Sequence, residues 1–150
     1  MKEVRQALHS EIPDLIGMAY YFAEKFGRKW SIMPVEHHAK KVLSDMIDHH
    51  VLLVSPCGDG LAGAIGGRFH PHLFNPDVSC LTQLFWWVRP EFKNTSVGAR
   101  LLDAYETVGE GHKNGVRQMI MGQRIDSPIR DLTWERRGYT LTETAWLKEL

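Results

Sequence analysis

The sequence predicts an α/β fold: a central, mixed, twisted sheet of six to seven strands flanked by about four helices. Two observations carry that expectation. Short apolar runs of strand length alternate along the chain with stretches whose apolar residues recur at helical spacing. The most apolar run, Leu84-Phe85-Trp86-Trp87-Val88, hands over through a short polar join to an amphipathic segment, and another apolar strand, Val116 to Met121, follows. A strand, a helix and a returning neighbour strand make a βαβ crossover.

Val4, Gln6 and Leu8, with Arg5 and Ala7 between them, give a short alternating opening strand. Ser10 then offers a helix cap, and Glu11 and Asp14 put negative charge in the first turn, where the dipole favours it. Ile12, Leu15, Ile16, Ala19, Phe22, Ala23 and Phe26 recur at helical spacing up to a stop at Gly27, leaving Tyr20 and Tyr21 on a second face. Pro34 opens a second helical pattern through Val35, Ala39, Val42, Leu43, Met46 and Ile47, ending near His49-His50. Val51 to Ser55 is a buried strand, Pro56 to Gly60 a turn, and Leu61 to Phe69 the hairpin partner. Gly63, Gly66 and Gly67 weaken that partner and announce a bend, a bulge or something packed close against its backbone. A loop from His70 to Ser79 leads into the central strand, Cys80 to Val88. The helix after the join buries Val97, Leu101, Leu102, Tyr105 and Val108 and ends at Asn114-Gly115. Ser127-Pro128 caps a short helix that stops at Gly138, and Tyr139 to Thr142 and Ala145 to Leu147 close the chain as two further strands.

At 150 residues the chain is expected to form one domain, 1–150, burying roughly 68–70% of the surface it exposes unfolded. Lys plus Arg and Asp plus Glu number 18 each, and this net charge of +0 argues against a general nucleic-acid or membrane-surface binder. Cys57 and Cys80 stand in no Cys-x-x-Cys spacing and read as reduced thiols. No apolar run approaches the roughly 20 residues of a membrane span, and the opening MKEVRQALHS mixes charged with apolar residues, unlike a signal peptide. A soluble, cytoplasmic protein is the expectation.

The join carries Lys93, Asn94, Thr95, Ser96, Val97 and Gly98. Small and polar residues there let successive backbone N–H groups turn toward one point at a helix N-terminus, where the positive end of the dipole also lies. That suits an anion, phosphate above all. Lys93 adds a mobile cation, and Gly98 removes a side chain where a ligand must come close. The simpler reading of the same letters is a helix cap with Ser or Thr in its usual role.

With Val88 and Pro90 before it and Leu101-Leu102 behind, the stretch resembles the pyrophosphate loop of the GCN5-related N-acetyltransferase superfamily. In that family a strand ending Val-x-Pro leads into Arg/Gln-x-x-Gly-x-Gly/Ala and a helix with paired leucines. Lys93 stands at the Arg/Gln position, Ser96 replaces the first glycine, and Gly98 fills the second. The order of elements and the closing WERRGYTLTETAWLKEL, with Gly138-Tyr139 after a short helix, extend the resemblance from end to end. It implies the acyl-CoA N-acyltransferase fold, acetyl-CoA as cosubstrate, no metal, and direct acetyl transfer to an amine. It places the pyrophosphate on Lys93, Asn94, Thr95, Ser96, Val97, Gly98 and Ala99, and the pantetheine and thioester beside Trp87 and Val88. For that, the central strand must part from Val116–Met121 and leave backbone groups unpaired.

Acetyl transfer needs a neutral amine, an acceptor for its proton and a donor for the departing thiolate; a free lysine amine has a pKa of about 10.4. The family often carries a Glu on the central strand as base, where this chain has Thr82, Gln83 and Leu84. Gln83 can orient a water; His70 and His72 are the nearest titratable groups, and Asp126 follows the next strand. The family's tyrosine acid, four residues before the Gly-aromatic pair, is Trp134 here, and its asparagine seven residues earlier is Ser127. The catalytic candidates are therefore Gln83, His70 and Ser127, with the proton moving through water and backbone and catalysis resting mostly on positioning. The alternative is a non-catalytic CoA-binding or protein-binding module on the same fold. The acceptor stays open among a small amine, a protein lysine and a protein N-terminus; a membrane or nucleic-acid partner is not expected, and a homodimer is compatible with the compact length.

His37-His38, His49-His50 and His70-Pro71-His72 lack metal-ligand spacing and read as solvated surface residues. Trp86 and Trp87 alternate onto the two covered faces of the central strand and read as core. Tyr21 and Phe26 border the acceptor side in the family's fold. Cys57 reads as a bystander thiol, and Arg136-Arg137 as a solvated helix end.

Overall fold

The computed structural model describes residues 3–27, 33–112, 115–124, 127–148 and 150. Its elements, in order, are β1 (Arg5–Gln6), α1 (Ile12–Phe22), α2 (Glu36–His49), β2 (Val51–Cys57), β3 (Gly60–His72), β4 (Asn75–Val88), α3 (Val97–Gly111), β5 (Val116–Ile120) and α4 (Asp131–Arg136). The sheet runs in the order β1-β2-β3-β4-β5; every pairing is antiparallel except β4–β5, which is parallel and joined by the α3 crossover.

Strand alternation sorts the apolar side chains into two layers. Leu52, Val54, Leu61 and Ala64 face α1 and α2, meeting Ile12, Leu15, Ile16, Met18, Leu43 and Met46. Val51, Leu53, Ile65 and Leu81 face α3, meeting Val97, Leu101 and Tyr105. Each helix needs only one apolar stripe, because each covers one face of the sheet.

The glycines of β3 make room for what packs on it. A Cβ at Gly66 would stand 2.6 Å from the Met46 methyl and the Phe85 ring, and one at Gly67 would stand 2.1 Å from the Tyr105 hydroxyl on the other face. Large side chains can therefore press on both faces of the strand at neighbouring positions. Opposite them β4 bulges: Gly67 pairs with Gln83 and Gly66 with Phe85, so Leu84 is an extra residue and the facing of the strand flips there. Leu81 before the bulge faces α3, whereas Phe85 and Trp87 after it pack on the α1/α2 side.

Several boundaries differ from the sequence expectation, each for a local reason. The strand expected over Val4–Leu8 is only Arg5–Gln6, because Leu8 turns to cap a 3-10 turn and donates its N–H to Glu11 Oε2 at 2.8 Å. Glu11, held also by Arg5 at 2.7 Å, thus does the capping expected of Ser10. The expected loop His70–Ser79 is instead a hairpin end, with β3 reaching His72 and β4 starting at Asn75 around the exposed Leu73 and Phe74. The helix expected to start at Pro128 starts at Asp131, and it stops as anticipated before Gly138, whose φ of 86° only glycine adopts readily. Among the described residues the sheet has five strands, not six or seven: Tyr139–Thr142 and Ala145–Leu147 form none, and Leu141 and Trp146 are 82% and 95% exposed. A threonine-rich pattern with no layer to pack against does not hold a strand. Asn114, Asp126 and the side chain of Phe26 lie outside the described residues.

Arg137 and His50 are not solvated ends. Arg137 clamps the segment after α4 onto α3, with Nη1 2.6 Å from Glu106 and Nη2 2.7 Å from Asp103. His50 Nδ1 accepts the Phe69 N–H at 3.2 Å, and its Nε2 faces Asp45 at 3.5 Å. Desolvation outweighs that carboxylate and holds its pKa below the usual histidine value.

Candidate functional site

The parallel pairing of β4 with β5 covers Ser79, Cys80, Leu81 and Thr82 and ends with Thr82 opposite Ile120. Beyond it β4 continues to Val88, paired with β3 only. The two strands fork, as the expected site requires. Arg89 N–H donates to Ala62 O at 2.9 Å, so by alternation the backbone groups of Trp87 also point to β3 while those of Trp86 and Val88 point to the open edge. Val88 and Trp86 therefore turn their backbone groups to the unpaired edge. Trp87, expected at that edge, spends its backbone groups on β3 instead.

The fork opens onto the join before α3. Asn94 makes the turn with a φ of 61°, in the left-handed region that asparagine tolerates. Three of the seven expected amides are spent within the loop: Lys93 N–H on Pro90 O (3.1 Å), Thr95 N–H on Phe92 O (3.3 Å) and Val97 N–H on Thr95 Oγ1 (3.3 Å). Thr95 thus takes the first N–H of α3 from outside the helix, whereas Ser96 at the N-cap makes no side-chain capping bond, and Val97 buries its side chain in the α3 core. The amides of Asn94, Ser96, Gly98 and Ala99 have no such partner among the described residues. All four belong to exposed or half-buried residues, and Lys93 is exposed beside them. A Cβ at Gly98 would lie at ordinary contact distance from Val88 (3.5 Å) and Trp86 (3.6 Å), which places the helix end beside the forked strand. Unspent amides at a helix N-terminus and a one-sided strand edge fit a pyrophosphate and an amide-bearing arm.

The proton-handling candidates sit around the fork in different states. Gln83 Oε1 accepts the Gly122 N–H at 2.9 Å, tying β4 to the segment leaving β5 just where the strands part. Ser127 Oγ accepts the Ile129 N–H at 3.3 Å and serves a local turn. Trp134 Nε1 donates to Gln123 Oε1, and its ring meets Trp86 edge-on at 6.2 Å and Tyr139 at 5.4 Å. Tyr139, raised above the usual phenol value by burial and by Glu106, stays protonated. His70 Nδ1 lies 2.9 Å from Pro71 O, which can only accept, so Nε2 is left to accept from Thr82 Oγ1 at 2.7 Å. Thr82 stands opposite Arg68, which reaches Asp45 on α2, so this pair lies on the α1/α2 face at the last residue before the fork. Thr82 escaped the sequence reading, since nothing local marks a threonine that a histidine twelve residues away will hold.

The same face carries rings that sequence reasoning assigned to core. Trp87 stacks on Phe85 (centroids 4.1 Å, planes 18° apart) and on Phe22 of α1 (5.6 Å, 12°), and Tyr21 meets Phe22 edge-on at 5.3 Å. Phe22, Phe85 and Trp87 are half-buried. Asp14 pairs with Arg89 at the strand end and accepts the Leu61 N–H at 2.9 Å. Among the described residues no group of three metal-ligating side chains occurs.

Neither a protein-family model nor the sequence of a curated protein matches the chain. Solved structures do. An acetyltransferase from Trypanosoma brucei is 12% identical with a TM-score of 0.74, over 99% of each chain. An aminoglycoside acetyltransferase from an uncultured soil metagenomic sample, in complex with sisomicin, is 12% identical with a TM-score of 0.73, over 99% of this chain and 95% of that one. A transcriptional regulator from Bacillus halodurans C-125 is 15% identical with a TM-score of 0.74, over 98% of each. With its forked mixed sheet and α3 crossover, the chain has the fold of the GCN5-related N-acetyltransferases.

Proposed function

We propose that the protein is an acetyl-CoA-dependent N-acetyltransferase that moves an acetyl group directly onto an amine. The observation that supports this most is the fork: β4 gives up its β5 partner after Thr82 and runs, one edge open, to four unspent amides at the start of α3. Asn94, Ser96, Gly98 and Ala99 would hold the pyrophosphate by their N–H groups, with Lys93 as a point charge and without the fork geometry of an arginine. Trp86 and Val88 would pair with the pantetheine amides, groups that otherwise cost about 1–3 kcal/mol each when buried unpaired.

In the reaction a C–N bond forms as the C–S bond breaks, the amine loses a proton and the thiolate gains one. Thr82 and His70 provide the outlet for the first proton: the hydroxyl takes it from the amine while passing its own to Nε2. Water at the open fork supplies the second, since Trp134 and Gln83 are already engaged. Those engagements are also what favours the rival reading, a CoA-binding module without chemistry.

Thiol release from acetyl-CoA in the presence of primary amines, measured beside calorimetric titration with CoA, tests both. CoA binding with amine-dependent thiol release is expected. Binding with no release on any amine supports the module, and absence of CoA binding overturns both.

A further inference from the structure

A pocket beside the fork narrows the acceptor, on the footing that the transferase reading above holds. Thr82 stands opposite Arg68 in the β3–β4 register, and His70, which holds the Thr82 hydroxyl, lies two residues along β3 from Arg68 on the same face. On that face, between α2 and the bulge of β4, lies a pocket of about 250 Å³. Met46 and the exposed side chains of Val42 and Leu84 give it an apolar wall, and Leu84 is the extra residue of the bulge, two positions past Thr82. We infer that the accepted amine belongs to a free amino acid with an apolar side chain, whose carboxylate Arg68 and Lys41 hold in this pocket.

The charges of the pocket are unbalanced in the sense this needs. Lys41 and Arg68 set two positive charges against one carboxylate, Asp45; His38 stands at the rim, and burial keeps His50 from charging near neutral pH. Asp45 faces His50 at 3.5 Å and Arg68 at 3.8 Å. The second distance is too long for a hydrogen bond, so the guanidinium keeps its donor fork for another carboxylate. Lys41 has no hydrogen-bond or ion-pair partner among the described residues. β4 brings no charge between Cys80 and Val88. One carboxylate balances the excess, whereas a polyamine or an amino sugar adds to it. Adjacent strands lie about 5 Å apart, so an amine at Thr82 and a carboxylate at Arg68 are separated by the few bonds of an amino acid. Its side chain then falls on Val42, Met46 and Leu84.

The test is kcat/KM of the full chain with acetyl-CoA for leucine against leucinamide, 3-methylbutylamine (leucine without its carboxylate), spermidine and kanamycin. Leucine should exceed the two compounds that lack its carboxylate by about tenfold, the worth of a charge-assisted hydrogen bond. Arg68→Gln should cut the leucine-to-leucinamide ratio about tenfold, chiefly by raising KM for leucine, and Arg68→Lys should keep more of it. Lys41→Ala should cut the ratio about threefold, as expected of an exposed charge. Melting curves check that all three variants fold. Calorimetric titration of the CoA-bound protein with leucine, saturable in the wild type and weakened in Arg68→Gln, reads the same contact without turnover. Leucinamide or 3-methylbutylamine used as well as leucine, a preference for spermidine or kanamycin, absence of leucine binding, or a ratio unmoved by Arg68→Gln overturns the amino-acid assignment while leaving the transferase reading intact. Thiol release with none of the five removes the transferase reading, and this inference with it.

Discussion

The two halves of β4 behave as different objects. From Ser79 to Thr82 the strand is hydrogen-bonded on both edges, and Cys80 and Leu81 are buried to 1% or less. From Gln83 to Val88 it is bonded on one edge only, and every residue is half-buried or exposed. Yet the second half, QLFWWV, is the more apolar. Apolar content thus marks the central strand without telling which part of it is finished structure. The edge count does, and on the proposed function the unfinished edge beside the unspent amides is where a ligand would complete the sheet.

Four substitutions or conditions separate the halves, from the largest effect to the smallest. Gly67→Val should break the structural half, since its Cβ would overlap the Tyr105 ring at 2.7 Å and the hydroxyl at 2.1 Å. A loss of about 3 kcal/mol or more in urea unfolding is expected, near the top of what overpacking costs. Ala99→Pro should touch only the ligand half: it deletes one unspent amide in the first helical turn, where proline is tolerated. CoA affinity should fall about tenfold, the worth of a charge-assisted hydrogen bond, with an unchanged melting temperature. A fall in stability equal to the fall in binding would show that the amide is structural. Lys93→Ala should weaken CoA about threefold at low salt and less at high salt, because an exposed point charge is screened.

The last concerns pH. His50 supports the structural half from beneath, and its native pKa lies below the ordinary 6.5 because burial disfavours the charged ring. The unfolded chain therefore binds the proton first as pH drops, and stability present above pH 6.5 is lost below it until the native ring is protonated too. Urea midpoints at pH 7.5 and 5.5 measure this, and His50→Gln should flatten the difference without altering CoA binding.

The α/β class and the order of helices were legible in the sequence, because helical spacing, apolar runs and the crossover pattern are local signals; the parting of the central strand was implied by the resemblance alone. The β3 glycines announced a bend, a bulge or close packing without choosing among them; close packing holds at Gly63, Gly66 and Gly67, and β4 bulges opposite the last two. The last two strands were not legible. Tyr139 to Leu147 has the residue types of a strand, but pairing depends on a neighbour that no local pattern encodes. Nor was the bulge legible: one extra residue at Leu84 resets the facing of the strand, and the backbone groups of Trp86, not Trp87, reach the open edge, which nothing in LFWWV announces. The join before α3, to which the resemblance assigned a pyrophosphate, was read as seven equivalent positions. The structure divides them into three that hold the loop and four left over, a division set by Thr95 bonding to Phe92 and Val97.

Gly66 and Gly67 leave one peptide unit between Phe85 on one layer and Tyr105 on the other. Those positions cannot drift independently in any lineage that keeps this packing. A side chain gained at 66 demands that both Met46 and Phe85 give way, and one gained at 67 demands the loss of the phenol at 105. Paired changes at those sites, and no unpaired ones, should distinguish descendants of this packing from chains that share only its outline.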